Sequence, residues 1–298
     1  MLWGLVKTMR PHQWIKNLFV LAPLVFSHSL FEPTLLGRAL LGAFLFCMIS
    51  SVVYIMNDVF DIEKDKAHPS KRNRPIAAGV LPIKTASVSA LVIGIVALGV
   101  SWLLNPKFGM VVTSYMVLNA LYSWKLKNIP FVDVLIIALG FLFRMLAGAF
   151  AIEVFISEWL FACTFLLALY LGLGKRKHEV LQAGSDGAKQ RRVLDYYKLE
   201  HLNYSLLCVA GLTVAVYTAY CLSVSLPSQP FHPQRSPFES KWMPATIPFA
   251  VVGIFRFYTL IGKRESAESP TDRMISDIPF LANLLVWGGI IIMMIYLD

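Results

Sequence analysis

Apolar runs of membrane-crossing length recur along the whole chain, separated by short polar stretches in which the charged residues collect. A helix needs about 20 apolar residues to span the hydrocarbon core of a bilayer. Nine segments approach that length, near residues 14 to 31, 38 to 57, 83 to 104, 108 to 124, 131 to 152, 157 to 174, 203 to 226, 244 to 262 and 278 to 297. Lys16, Asn17 and Pro23 interrupt the first, whose start can instead lie along the membrane interface. The pattern predicts an all-α, polytopic membrane protein with about nine transmembrane helices. No Ser/Gly-rich or Pro-rich linker parts the runs, so a single membrane domain is expected over residues 1 to 298.

Composition gives the same answer. Hydrophobic residues make up 57% and charged residues 15%, against roughly a quarter charged in a soluble domain, so water is not the main solvent. The net charge of +9 would suit nucleic acid, but the cations alternate in space. One set of loops carries most of the Lys and Arg, and the opposite set holds only Arg38, Lys107, Arg235 and Lys241. That bias places the N-terminus and the basic loops in the cytoplasm and the C-terminus outside; some of the charge can attract anionic lipid. No nucleic-acid partner is expected. The basic N-terminus lacks a small-residue cleavage site and is expected to be retained. Cys47, Cys163, Cys208 and Cys221 lie in apolar segments without metal-ligand spacing, and imply no disulfide.

The most informative stretch is Asn57-Asp58-Val59-Phe60-Asp61-Ile62-Glu63-Lys64-Asp65. In a continuing helix Asn57, Asp61 and Asp65 share a face, with Asp58 alongside. Hard oxygen donors suit Mg²⁺, which takes one or two carboxylates and completes its shell with water and substrate phosphate. An acidic helix end that merely solvates the membrane surface is the plainer alternative. Against it stands the basic continuation from His68 through Lys71, Arg72 and Arg74 to Gly79, because Lys and Arg clamp phosphate oxygens.

Other loops of the same set offer further candidates. Tyr122 and Lys125 end the fourth segment, Lys127 reads equally as a topology anchor or a ligand, and Asp133 opens the fifth. Arg144 lies mid-run in the fifth segment, where a charge is costly unless it faces a polar interior; a structural ion pair competes with a functional role. Lys175-Arg176-Lys177-His178-Glu179 ends the sixth, with Glu179 one turn from Lys175. Lys16 and Asn17, beside the interfacial Trp14, are either site residues or part of an amphipathic docking segment. The loop Ser225 to Trp242 carries no assigned chemistry, and Ser266 to Asp277, on the inner side, either closes over the site or merely links helices.

The nine segments, Asn57-Asp58-x-x-Asp61-x-x-x-Asp65, and Tyr122-Ser123 with Lys125 resemble the UbiA superfamily of intramembrane transferases over essentially the whole chain. Within it the sequence is most similar to the decaprenyl-phosphate phosphoribosyltransferase branch. Arg10-Pro11-x-Gln13-Trp14-x-Lys16-Asn17, His68-Pro69-x-Lys71-Arg72-x-Arg74-Pro75-Ile76-Ala77-x-Gly79, Gly174-Lys175-Arg176-x-x-Glu179 and Ser269-Pro270-Thr271 with Asp277 carry that likeness. The aromatic prenyltransferase branch has a second Asp-x-x-x-Asp motif where this chain has Lys175 to Glu179. Exchanging carboxylates for cations suits a site that neutralises more phosphate with fewer metal ions.

The resemblance implies a UbiA-like helical bundle in a bacterial cell membrane, with its site facing the cytoplasm. It implies Mg²⁺-dependent transfer of 5-phosphoribosyl from phosphoribosyl diphosphate to a polyprenyl phosphate for cell-envelope glycan precursors. Asn57, Asp61 and Asp65 would hold the metal, and Asp58, Asp61 and Asp65 form the catalytic set. Lys16, Asn17, Lys71, Arg72, Arg74, Tyr122, Lys125, Arg144, Lys175, Arg176 and Glu179 are the expected substrate-binding residues. Competing expectations are a prenyltransferase acting on an aromatic acceptor and, in another class, a lipid-phosphate transporter; no inverted repeat supports the latter.

Overall fold

In a computed structural model of the protein, residues 1–67, 71–183, 194, 196–225, 240–262 and 270–297 are described. His68, Pro69, Ser70 and Ser269, and most of the loops after Ser225 and Gly262, fall outside them. The described residues form helices: α1 (Leu2–Met9), a 3₁₀ helix (Pro11–Leu21), α2 (Ala22–Phe26), α3 (Pro33–Phe60), α4 (Ile62–Ala67), α5 (Ile83–Leu104), α6 (Pro106–Trp124), α7 (Val132–Ile152), α8 (Glu158–Ala183), α9 (Leu199–Ser225), α10 (Ile247–Ile261), α11 (Pro270–Ser276) and α12 (Ile278–Leu297). Short 3₁₀ turns at Lys71–Asn73, Leu126–Asn128 and Met243–Thr246 join some of them.

Seven of the described helices are long and apolar enough to cross a bilayer: α3, α5, α7, α8, α9, α10 with the turn before it, and α12. The protein is an integral membrane protein of the all-α class. The expected span at 108 to 124 folds as α6, 19 residues long, but Thr113, Ser114 and Asn119 dilute its apolar character. The expected span at 14 to 31 does not form one helix. It folds as the 11-residue 3₁₀ helix followed by the five-residue α2, with Pro11 and Pro23 removing backbone donors and Asn17 turned into the protein.

Helix starts are set locally. Pro33 and Pro106 stand in the first turn of α3 and α6, where a missing N–H costs nothing. Asn105 caps α6, its Oδ1 accepting from the N–H groups of Lys107 (2.8 Å) and Phe108 (3.3 Å). Along α5, Val88, Leu91, Val92, Ile95 and Val96 are exposed, an apolar face suited to lipid.

The chain divides into two compact units, residues 1–127 with 143–155 and residues 128–142 with 156–298. In the first, Val20, Phe46, Ile49, Phe108, Val112, Tyr115, Ala147 and Ala151 form a buried cluster. Gly148 on α7 lies so close to the chain at Val20 that an added Cβ would stand 1.9 Å from the Val20 carbonyl oxygen; small residues at such crossings let membrane helices approach. In the second unit, Val134, Tyr170, Leu173, Tyr197, Leu206, Phe257, Ile261 and Phe280 pack together, and Gly174 admits the Phe257 ring.

Candidate active site

The acidic motif spans a break in the helix. α3 ends at Phe60, Asp61 leaves helical geometry with φ −98° and ψ 12°, and α4 begins at Ile62. The i to i+4 hydrogen bonds nevertheless continue across it, Asp61 N–H to Asn57 C=O at 2.9 Å and Asp65 N–H to Asp61 C=O at 2.8 Å. The spacing of Asn57, Asp61 and Asp65 thus survives a local bend.

Each carboxylate has a cation. Lys127 Nζ lies 2.8 Å from both oxygens of Asp61, and Lys64 approaches to 3.7 Å. Arg74 Nη1 donates to Asp65 at 2.6 Å and to Asp58 at 3.2 Å. Arg10 Nη2 donates to the same Asp58 oxygen at 2.5 Å, and its guanidinium lies 5.0 Å from the centre of the Tyr54 ring. Asp58 and Asp65 are buried, whereas Asp61 is a quarter exposed. Asn57 accepts from the Ser123 hydroxyl. Lys127 is buried and Lys125 exposed, so the partner of Asp61 is the lysine for which the sequence weighed mere anchoring. Tyr122 and Lys71 are half-buried and Arg72 is exposed.

Deeper in the same unit, Asn17 and Arg144 form a polar core. Arg144 Nε donates to Asn17 Oδ1 at 2.8 Å and Nη2 to the Tyr115 hydroxyl at 3.0 Å, beneath the Phe46 and Tyr115 rings. The Asn17 amide donates in turn to Ser50 at 3.1 Å. Arg144 is thus built into the packing through an amide and a phenol, not through the ion pair the sequence offered as its structural alternative. Trp14, expected at the interface, donates to Ser51 at 3.0 Å, and Lys16 donates to Gln13.

In the second unit, Arg176 and Asp133 are wholly buried, with Nε 2.7 Å from Oδ2. Arg176 also donates to Glu179, which therefore faces Arg176 across one helical turn. Tyr197 donates to Asp133 at 2.5 Å and accepts from the Phe131 N–H at 2.7 Å. Burial first, and then that bond to Asp133, pushes the Tyr197 phenol well above its ordinary range. Phe131 has φ 66°, a costly conformation for an aromatic residue held by these contacts. Lys177 Nζ sits 4.0 Å above the Tyr258 ring; Lys175 is half-buried.

Among the described residues no three carboxylate, imidazole or thiol groups converge as a protein-only metal cage. Mg²⁺ does not require one, since it keeps waters and takes one or two carboxylates together with substrate phosphates. Arg74 holds an oxygen of Asp58 and one of Asp65 with a single nitrogen, so those two carboxylates can share one cation. The oxygen donors of Asn57, Asp61 and Asp65, spaced four residues apart along the chain, are of the hard type that suits Mg²⁺ bound together with a phosphate ligand.

Sequence reasoning passed over Arg10, Asp133 as the partner of Arg176, and Ser123. The available signals were the place of Arg10 before the Pro11-to-Asn17 motif and the position of an acidic residue at the head of an apolar helix.

Residues 18–275 match the model of the UbiA prenyltransferase family. The chain is 32% identical to the decaprenyl-phosphate phosphoribosyltransferase of Mycolicibacterium smegmatis, covering 98% of this chain and 92% of that one. It is 29% identical to the enzyme of the same name from Corynebacterium glutamicum, covering 99% and 87%. The fold is similar to that of a UbiA homologue from Archaeoglobus fulgidus bound to GPP and Mg²⁺, with a TM-score of 0.70 at 18% identity, covering 97% of this chain and 99% of that one.

Proposed function

The chain belongs to the UbiA prenyltransferase family, and we propose that within it the protein transfers 5-phosphoribosyl from phosphoribosyl diphosphate to a polyprenyl phosphate. The observation that carries this reading is the near full-length similarity to relatives named decaprenyl-phosphate phosphoribosyltransferase. It is supported by the sequence having no second Asp-x-x-x-Asp motif after the sixth apolar segment, where a prenyl diphosphate site would favour carboxylates.

In this reaction an oxygen of the lipid phosphate attacks ribose C1. The bond from C1 to the diphosphate oxygen breaks, and the diphosphate leaves with the electron pair. The acceptor is already anionic near neutral pH, so no side chain is assigned as general base. Asn57, Asp61 and Asp65 would hold Mg²⁺. When bound there, the ion offsets the charge gathering on the departing diphosphate. Lys127, beside Asp61, is placed to donate to the same diphosphate, and Lys71, Arg72 and Arg74 supply positive charge for the remaining phosphates. The positive-inside bias supports a site on the cytoplasmic face, and the bacterial relatives support a bacterial cell membrane, where a soluble phosphorylated sugar is available.

Mass spectrometry of purified protein given labelled phosphoribosyl diphosphate, decaprenyl phosphate and Mg²⁺ tests the reading. A ribosylated lipid, lost on chelation and restored by Mg²⁺, is the expected product. No such lipid, alongside robust prenylation of an aromatic acid in a parallel assay, would sink it. Asp61→Ala should abolish turnover in folded protein.

A further inference from the structure

We propose that Arg10 and Arg74 form a paired site for a phosphate monoester, and that Asp58 is the positioning carboxylate that holds them side by side. This rests on the reaction proposed above. The starting observation is that two guanidinium groups from distant parts of the chain meet one oxygen of one buried carboxylate, Asp58 Oδ1, at 2.5 and 3.2 Å. Arg10 keeps about a quarter of its side-chain surface open. Among the described residues its side chain makes one hydrogen bond, so most of the five N–H donors of a guanidinium remain to be used. Arg74 is shared between Asp58 and Asp65. If Asp65 turns to a metal ion, the donor it now holds is released toward the same ligand.

A simple tether between the N-terminal segment and α3 accounts less well for this geometry. The segment is already fixed to α3 by Trp14 on Ser51 and by the Ser51 hydroxyl on the Met9 carbonyl at 3.2 Å, and Leu5 and Met9 pack in the apolar cluster with Val52 and Ile55. Arg10 itself holds φ 55°, an unfavourable conformation for a residue with a Cβ, of a kind that gathers at ligand sites. Two like charges drawn together are stabilised by an anion that both can grip. The fork of a guanidinium matches a phosphate, which has three terminal oxygens. Both proposed substrates carry such a group, the 5-phosphate of the soluble donor and the headgroup of the lipid acceptor.

The test is initial-rate kinetics of the full chain in lipid nanodiscs at fixed Mg²⁺, varying phosphoribosyl diphosphate and decaprenyl phosphate in turn. Arg10→Ala should raise KM for one of them by roughly tenfold or more, the scale of a lost charge-assisted bond, and leave the other within about twofold. The substrate that responds identifies the source of the phosphate. Asp58→Asn, acting through the arginines, should raise the same KM. Arg10→Lys, which keeps the charge and loses the fork, should raise it less and decides the matter if Arg10→Ala does not fold. The proposal is overturned if neither KM moves, or if both rise together as in a general distortion. Wild-type protein that forms no ribosylated lipid overturns the reading of the reaction, and this inference with it.

Discussion

Lys127 straddles Asp61: its ammonium lies 2.8 Å from both carboxylate oxygens, buried where Lys125 two residues earlier is exposed. If this lysine hands its charge from Asp61 to the diphosphate, Lys127→Ala should lower initial rates by about tenfold or more, the loss of one bond to a charged group. Lys125→Ala should cost far less. Equal losses for the two variants would remove Lys127 from the site.

The Arg176 and Asp133 pair should act on stability. Both side chains are fully buried, and stripping one partner from a buried pair leaves an uncompensated charge that costs about 3 to 5 kcal/mol. Asp133→Asn should therefore lower the thermal midpoint in detergent by many degrees. Tyr197→Phe, which removes one bond to the same carboxylate, should lower it less. An unchanged midpoint for Asp133→Asn would contradict the pairing.

Arg144 and Asn17 should be coupled. Replacing either leaves the other's buried polar group without its partner, so the second replacement should cost less than the first. A double-mutant cycle with Asn17→Ala and Arg144→Met, read by unfolding, is expected to give a coupling of about 1 kcal/mol or more. Additive effects would show that the 2.8 Å contact contributes nothing.

Two glycines should respond in opposite directions. Gly148→Ala would drive Cβ into the Val20 carbonyl, and because Cβ is fixed by its own backbone and the carbonyl is backbone, neither can turn aside and the yield of folded protein should collapse. Gly99, on α5, has open space around it, and Gly99→Ala should raise stability by up to about 1 kcal/mol. Normal yield of Gly148→Ala would refute the close crossing.

Glu153 should contribute a pH dependence. Hydrogen bonds from Arg38 and Asn105 hold its carboxyl below the ordinary value of 4.5. A depressed carboxylate stabilises the fold above its unfolded value and loses that contribution as pH falls through the folded one. Wild type should therefore lose stability relative to Glu153→Gln only below about pH 4.5, and identical acid limbs would dismiss the interaction.

The apolar runs by themselves determined a helical membrane protein, because a bilayer leaves a backbone few ways to satisfy its polar groups. The order of residues also determined the i to i+4 spacing of Asn57, Asp61 and Asp65, a local property whose backbone hydrogen bonds outlast the bend at Asp61. Partner choice was settled only in three dimensions. That Asp61 meets Lys127, that Arg10 reaches Asp58 across 48 positions, and that Arg176 turns to Asp133 all depend on which face of a helix is buried and against what. A lone cation in sequence has the same appearance whether it anchors topology, closes a buried ion pair or awaits a phosphate. The 3₁₀ path of residues 11 to 21 was likewise beyond the apolar count. It goes with prolines at 11 and 23 and with Asn17 turned inward to Arg144, a contact between residues 127 positions apart.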